Sequence, residues 1–398
     1  MAHSLPEPSA LLSTIRSSSR AVRQKANITI SLQSIERLLK SPVFLTSFIR
    51  VSAQHGLALP LKFSSPLDEL NVISILSLLN FGSGYRVPLH TENKRGAWDN
   101  IRLLVFSMYI GGSEEDLLST RGMLQLNEAK VAELMRVNVY IERPHKDIPG
   151  VTVGELGGPL YELVKLISNV LVETGQLLET GRYPNLGSFV AEALKEGARN
   201  TKTQTSDVQI VLDRLIRFLP AFRDWRIVDG QPVYIFKKAL FLVHAITIRF
   251  GSISAPPFPV PDTSQVPVSA DNVLPSLLVY LGVIELHSSP SLQSIFRDSN
   301  MSLDELKSLL SETSSETESN DSPPSEGPTL TTDQAYILRA AAVDACEMII
   351  ETARELTEPN WIRHIRCTEL DIWLWSIAKD RADYRGLARF ALRDTVFF

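Results

Sequence analysis

The sequence predicts a mainly α protein with one short β-hairpin and one disordered acidic stretch. Three observations carry this. Apolar residues recur at three- and four-residue spacing along most of the chain, the period of an amphipathic helix. β-prone runs joined by a tight turn are read only at 225–236, where Asp229-Gly230 is the turn. Residues 311–328 (SETSSETESNDSPPSEGP) are acidic and nearly free of apolar groups, so they cannot bury enough to offset the entropy of ordering.

The elements follow in order. Residues 1–10 carry Pro and Ser and read as a flexible N-terminus. From residue 11 to 194 the pattern is mainly helical. Ser31 is a cap candidate before an apolar-periodic run. Residues 67–79 (LDELNVISILSLL) are apolar almost all round, which predicts a buried central helix. It stops at Asn80-Phe81-Gly82-Ser83-Gly84, where two glycines let the backbone turn. A charged loop is expected over 90–99, a helix over 101–110 and a Gly/Pro-rich surface loop over 144–159. Helices are expected over 160–179, 186–199 and 237–250. Five prolines make 251–267 an irregular connection, long enough to suspect a part in a site. It leads to Ser269-Ala270-Asp271-Asn272-Val273, where Asp271 is a natural N-cap for the next helix. Two more helices are expected over 332–355 and 368–379. No internal repeat is found.

Composition excludes several classes. The chain has 398 residues, 44% of them hydrophobic, enough for one large domain or two average ones. A net charge of -5 argues against a protein that coats nucleic acid, while leaving room for a few local cations on a small anion. Cys346 and Cys367 lack the spacing of a disulfide framework and read as reduced thiols in a reducing, cytoplasmic compartment. No uncharged apolar run approaches ~18 residues, so no membrane span is expected. The first 25 residues hold Arg16, Arg20, Arg23 and Lys25 with Glu7 as the one acid, which resembles a mitochondrial presequence. A first helix with a basic face is the plainer reading. The HExxH, paired CxxC, Walker A, GxSxG and GxGxxG motifs are absent and the seven histidines are scattered. A metal site, a serine hydrolase and a dinucleotide enzyme are therefore not expected.

Six stretches in order resemble the queuosine salvage family. They are LDELNVISILSLLNFGSGYR at 67–86, YPNLGSFVAEAL at 183–194, FRDWRIVDGQPVYIFKKALFLV at 222–243, SADNVLPSLLVYLGVIEL at 269–286, RAAAVDACEMI at 339–349 and LDIWLWSIAKDRADY at 370–384. The resemblance runs from about residue 17 to the C-terminus. It implies an all-α fold similar to helical DNA glycosylases, one domain over 11–398, and no cofactor or metal. It also implies an activity: hydrolysis of the N-glycosidic bond of queuosine 5′-phosphate, which frees queuine for tRNA modification. The implied partner is this small nucleotide, with no stable nucleic-acid or membrane binding.

The resemblance also assigns residues. Asp271 matches the family's catalytic aspartate, which follows a long loop and starts a helix. Ala270 lies beside it. His55 in QHGLALPLKF matches a pocket histidine, and Asn80 and Phe81 match pocket residues. Trp375 matches a Trp that can stack on the base, and Asp380 an acid that can pair with the queuine side chain. Ser376 stands where the family usually has Asp. Lys237 and Lys238 match a Lys-Arg pair expected to hold the phosphate; a Lys at 238 gives up the bidentate fork of Arg. The Gly-Ser-Gly turn at 82–84 departs from a more aromatic family form. These departures mark a divergent member; they and the near absence of generic catalytic motifs keep, in that order, two further readings open. One is a nucleotide- or queuine-binding homologue without the activity, or with altered specificity. The other is a helical scaffold regulated through its acidic loop.

Overall fold

Helices form where apolar residues share one side of the turn, and they stop where a polar cap or a glycine intervenes. The computed structural model describes residues 5–52, 59–111, 116–199, 205–296, 302–312 and 324–398. After a 3-10 turn at Pro8–Ala10 comes α1 (Leu11–Lys25), with Leu5 already packed against the core. The basic side of α1 is tied into the fold: Arg20 and Arg23 both reach Asp344, and Arg16 reaches Glu347. β1 (Thr29–Ile30) leads to α2 (Leu32–Leu39), where Ser31 Oγ accepts from the Ser34 amide as a cap should. α3 (Pro42–Ser52) follows.

α4 (Pro66–Leu78) is the central helix. Every residue from Leu70 to Leu78 is buried, and its two inner serines return their hydroxyls to the Leu70 and Ile73 carbonyls. α10 (Leu186–Arg199) crosses it at Gly187, where a Cβ would stand 2.8 Å from the Asn71 backbone. Beyond Gly82, in the left-handed region at φ 91°, lie α5 (Arg86–Asn93) and α6 (Ala97–Gly111). The charged loop expected over 90–99 is thus confined to 94–96. Its charges lie on helix faces, which a charge count cannot distinguish from a loop.

α7 (Thr120–Gln125) and α8 (Glu128–Met135) precede a second hairpin, β2 (Tyr140–Pro144) with β3 (Thr152–Leu156). A surface loop was expected at 144–159. Its Gly and Pro residues masked a strand that is exposed on both faces and so shows no alternation. α9 (Gly158–Thr180), α10 and α11 (Asp207–Phe218) follow. Then comes the expected hairpin, β4 (Trp225–Val228) with β5 (Gln231–Tyr234), and α12 (Lys237–Phe250). α13 (Val273–Tyr280), β6 (Ile284–Glu285) and α14 (Leu303–Leu310) complete the middle of the chain.

The acidic stretch 311–328 departs from expectation at its end: β7 (Glu326–Thr329) pairs in parallel with β8 (Arg389–Ala391). The pairing uses backbone groups and few apolar side chains, so composition gives no sign of it. Residues 313–323 lie outside the described residues. α15 (Thr332–Glu355), α16 (Cys367–Asp380) and α17 (Ala382–Gly386) fill the C-terminal part. The fold is mainly α, with seventeen helices among the described residues and four two-stranded sheets. One cluster of buried apolar side chains runs from Leu11 to Phe398, and both cysteines are free and buried within it. Among the described residues no helix is long and apolar enough to cross a membrane.

Candidate active site

The connection after α12 ends on three anchored residues. The Ser269 amide and hydroxyl both donate to Asp371 Oδ2, at 2.7 and 2.6 Å. The Ala270 carbonyl accepts from Arg339 Nε at 2.9 Å. Asp271 Oδ1 accepts from the Val273 amide at 2.6 Å. The N-cap of α13 is Asn272 and not Asp271. Asp271 reaches two residues forward, as an Asx turn does, so it serves the first amide from outside the helix. Asn272 Nδ2 donates to the Phe390 carbonyl at 2.8 Å, which ties this turn to β8.

Beneath the turn lies a buried ion pair. Arg339 donates to both oxygens of Asp224, at 3.0 and 2.5 Å, and both side chains are closed to solvent. Tyr336 Oη donates to Asp224 Oδ1, and the Lys237 amide donates to Oδ2. Asp224 therefore also fixes the start of α12, where Phe236 is held left-handed at φ 48°. A buried charge pair of this kind is tolerated because its remaining hydrogen-bonding capacity is met.

The paired lysines diverge at that point. Neighbours on a helix stand ~100° apart, so only one of them can face a given cavity. Lys238 Nζ runs inward to the Leu78 carbonyl at 2.7 Å and lies over the Phe81 and Phe222 rings. Lys237 Nζ donates to the Asn80 carbonyl at 2.7 Å and faces open space. Together they satisfy carbonyls at the C-terminal end of α4.

That open space is a cavity of about 590 Å³, continued inward by a recess of about 40 Å³. The recess has room for about one or two water molecules. Asn80, Trp98, Lys237, Asp271 and Trp375 line both, so Asp271 stands where they meet. Ser269, Asp371 and His244 close the recess, and Phe81 and Phe398 line the larger chamber. In that chamber Arg86, Lys94, Arg95, Arg102, Lys237, Lys379, Arg385 and Arg389 face Asp99 and Asp271. An acidic protein thus concentrates cations at one concavity, which favours an anionic ligand.

Burial tunes the titrating groups. It lowers Lys237 to about 8, helped by Arg339 and opposed by Asp271 and Asp224. It raises Asp371 to about 6, with Asp271 adding to the rise and the Ser269 hydrogen bonds opposing it. It lowers His244 to about 4, so this ring is neutral at physiological pH. It also drives Lys238 well below the ordinary lysine value, with Lys237 adding to the effect. Among the described residues no group of three or more His, Cys, Asp or Glu could hold a metal ion.

Residues 168–308 match the family model described as queuosine salvage protein. Over this stretch the chain is similar to the queuosine salvage family. The match includes Lys237, Lys238, Ala270 and Asp271, while Asn80, Phe81, Trp375 and Asp380 lie outside it. No curated protein matches the chain.

The expected site residues divide three ways. Asp271, Lys237, Asn80, Phe81 and Trp375 meet at the cavity. Ala270, Lys238 and Asp380 do not line it: Ala270 and Lys238 are buried behind the wall, and Asp380 is exposed at the end of α16. His55 lies outside the described residues. On a helix, a residue five positions on is turned ~140° away and one four positions back only ~40°. Trp375 therefore shares its face with Asp371 and not with Asp380. Ser376, where the family's Asp was expected, is buried and does not line either space. Sequence reasoning missed Asp371, Trp98 and His244. The i, i+4, i+7 placement of Lys237, Phe241 and His244 on α12 was the available signal for the last.

Proposed function

We propose that this protein hydrolyses the N-glycosidic bond of queuosine 5′-phosphate and releases queuine, with Asp271 as the catalytic residue. The observation that carries the reading is the position of the Asp271 carboxylate, between a cation-rich chamber sized for a nucleotide and a small recess that holds Asp371 and His244. Breaking the C1′–N bond sends the electron pair to the base and builds positive charge on the sugar, as in glycoside hydrolysis. Queuine is a 7-deazapurine and has no N7 to protonate, so more of the barrier falls to the sugar side. A carboxylate held by the Val273 amide meets that charge without rearranging, either through space or by capturing C1′. Water then adds its oxygen to C1′, and its proton balances the departing base. Trp375 and Phe81 offer aromatic faces for the base, and the cations offer charge for the phosphate.

Asp271→Asn keeps an oxygen for the Val273 amide and removes the negative charge. Release of queuine from queuosine 5′-phosphate is expected to fall by at least ~10²-fold, with queuine binding largely retained. Near-normal turnover in this variant would sink the assignment. Wild-type protein that binds queuine tightly and never turns over would point instead to a binding protein.

A further inference from the structure

We propose that Arg86, Arg385 and Arg389 form a subsite for a phosphate monoester dianion in the larger chamber. The inference rests on reading that chamber as a nucleotide site, and it moves the phosphate away from the Lys237-Lys238 pair. Lys238 is committed to the Leu78 carbonyl and does not line the chamber. The three arginines do line it. Among the described residues none of them makes an ion pair. Arg86 donates to the Arg385 and Leu387 carbonyls, and Arg389 donates to the Ala378 carbonyl at 2.7 Å. These acceptors are neutral and leave the positive charges uncompensated. Arg389 Nε is shut off from water and has no partner among the described residues.

Such a cluster is unfavourable by itself. Burial lowers Arg86 to about 9, and Arg389 and Arg385 repel it further. Arg389 is lowered to about 10 by burial, with Asp271 pulling the other way. A doubly charged anion relieves the repulsion and supplies the missing acceptors, and planar guanidinium groups suit phosphate oxygens. The placement fits a nucleotide. β8 carries Arg389, and its Phe390 carbonyl holds Asn272, the neighbour of Asp271. A ligand phosphate on the arginines would therefore be registered against the carboxylate expected to meet C1′.

The test uses the full chain with inorganic phosphate as the probe, at constant ionic strength. Wild-type protein is expected to gain melting temperature with phosphate in a saturable way. Arg385→Gln and Arg389→Gln should weaken that apparent affinity by ~10-fold or more, the size of a lost charge-assisted hydrogen bond. With queuosine 5′-phosphate as substrate, the same changes should act more on KM than on kcat. Arg143→Gln, which does not line the chamber, is the charge-matched control. If Arg389→Gln fails to fold, the half-buried Arg385 still decides, because Arg86 uses its backbone carbonyl and not its side chain. Unchanged phosphate binding in a folded Arg385→Gln, or no phosphate response in wild type, overturns the subsite. Phosphate binding that depends on the arginines, without cleavage of queuosine 5′-phosphate, upholds the subsite and overturns only the proposed activity.

Discussion

Asp371 illustrates how much one buried carboxyl can report. Its value is raised to about 6 by burial, above the ~3.9 of an exposed aspartate. A carboxyl raised in this way binds its proton more readily in the folded state. Its contribution to stability is therefore full below about pH 4, is lost as pH rises through about 6, and changes no further above that. Asp371→Asn keeps an oxygen to accept from Ser269 and removes the titration. The variant should lack this decline and gain on the order of 3 kcal/mol over wild type at pH 7. Melting temperatures of both proteins from pH 4 to 8 check it, and parallel curves would refute the assigned shift. The same residue marks a limit of sequence reading. Asp271, by its place after a long Pro-rich connection, reads only as a helix cap, and the family resemblance is what singles it out as a site residue. Asp371 was not legible, because an acid in an apolar helix has no local signature until the facing Ser269 is known. The matched word at 370–384 drew attention to Asp380 and Ser376, whereas the helical repeat places Asp371 beside Trp375.

At the scale of elements, α12, α13 and α15 are joined through Asp224 and Arg339. Asp224 holds the first amide of α12, and Arg339, on α15, holds the carbonyl just before Asp271. Removing one member of a buried pair leaves the other charge without compensation, at a cost of ~3–5 kcal/mol. Arg339→Met should lose about that much in urea unfolding, and any folded fraction should turn over slowly because Ala270 and Lys237 lose their supports. Combining it with Asp224→Asn should recover part of the loss, since the stranded charge is then gone. A double variant as unstable as the sum of the singles would show that the ion pair is not the cause. The helices themselves were largely readable: residues 186–199, 237–250 and 332–355 were expected with the bounds they have. Those runs combine clear period and clear stops. The strands β2, β3, β7 and β8 were not readable, because exposed or short pairings owe their stability to backbone partners elsewhere in the chain.

Across the whole molecule the two ends of the sequence are tied to each other and to the site. α1 pairs with α15 through Arg20, Arg23 and Asp344, and the Gly82 amide donates to the Phe398 carbonyl at 3.1 Å. Asp271 precedes the acidic stretch, whereas Asp371, Trp375 and Arg389 follow it; Asp271 and Trp375 line both spaces, Arg389 the larger chamber and Asp371 the recess. We therefore propose that residues 11–398 fold as one unit and that the acidic stretch interrupts it without dividing it. The resumption of order at β7 narrows the interruption, since Glu326 pairs with Arg389 across the β7–β8 sheet beside the chamber. Replacing residues 313–323 with a Gly/Ser segment of equal length should leave melting temperature and queuine release close to wild type. Stopping the chain after residue 312 removes α15, α16 and β8, which strips the apolar cover from α1 and takes Arg339 from Ala270. That truncation should yield no cooperative unfolding transition. A truncated chain that still melts cooperatively would show that residues 11–312 form a domain of their own. An equal-length replacement that abolishes activity would give the acidic residues a part in the reaction that this fold does not require of them.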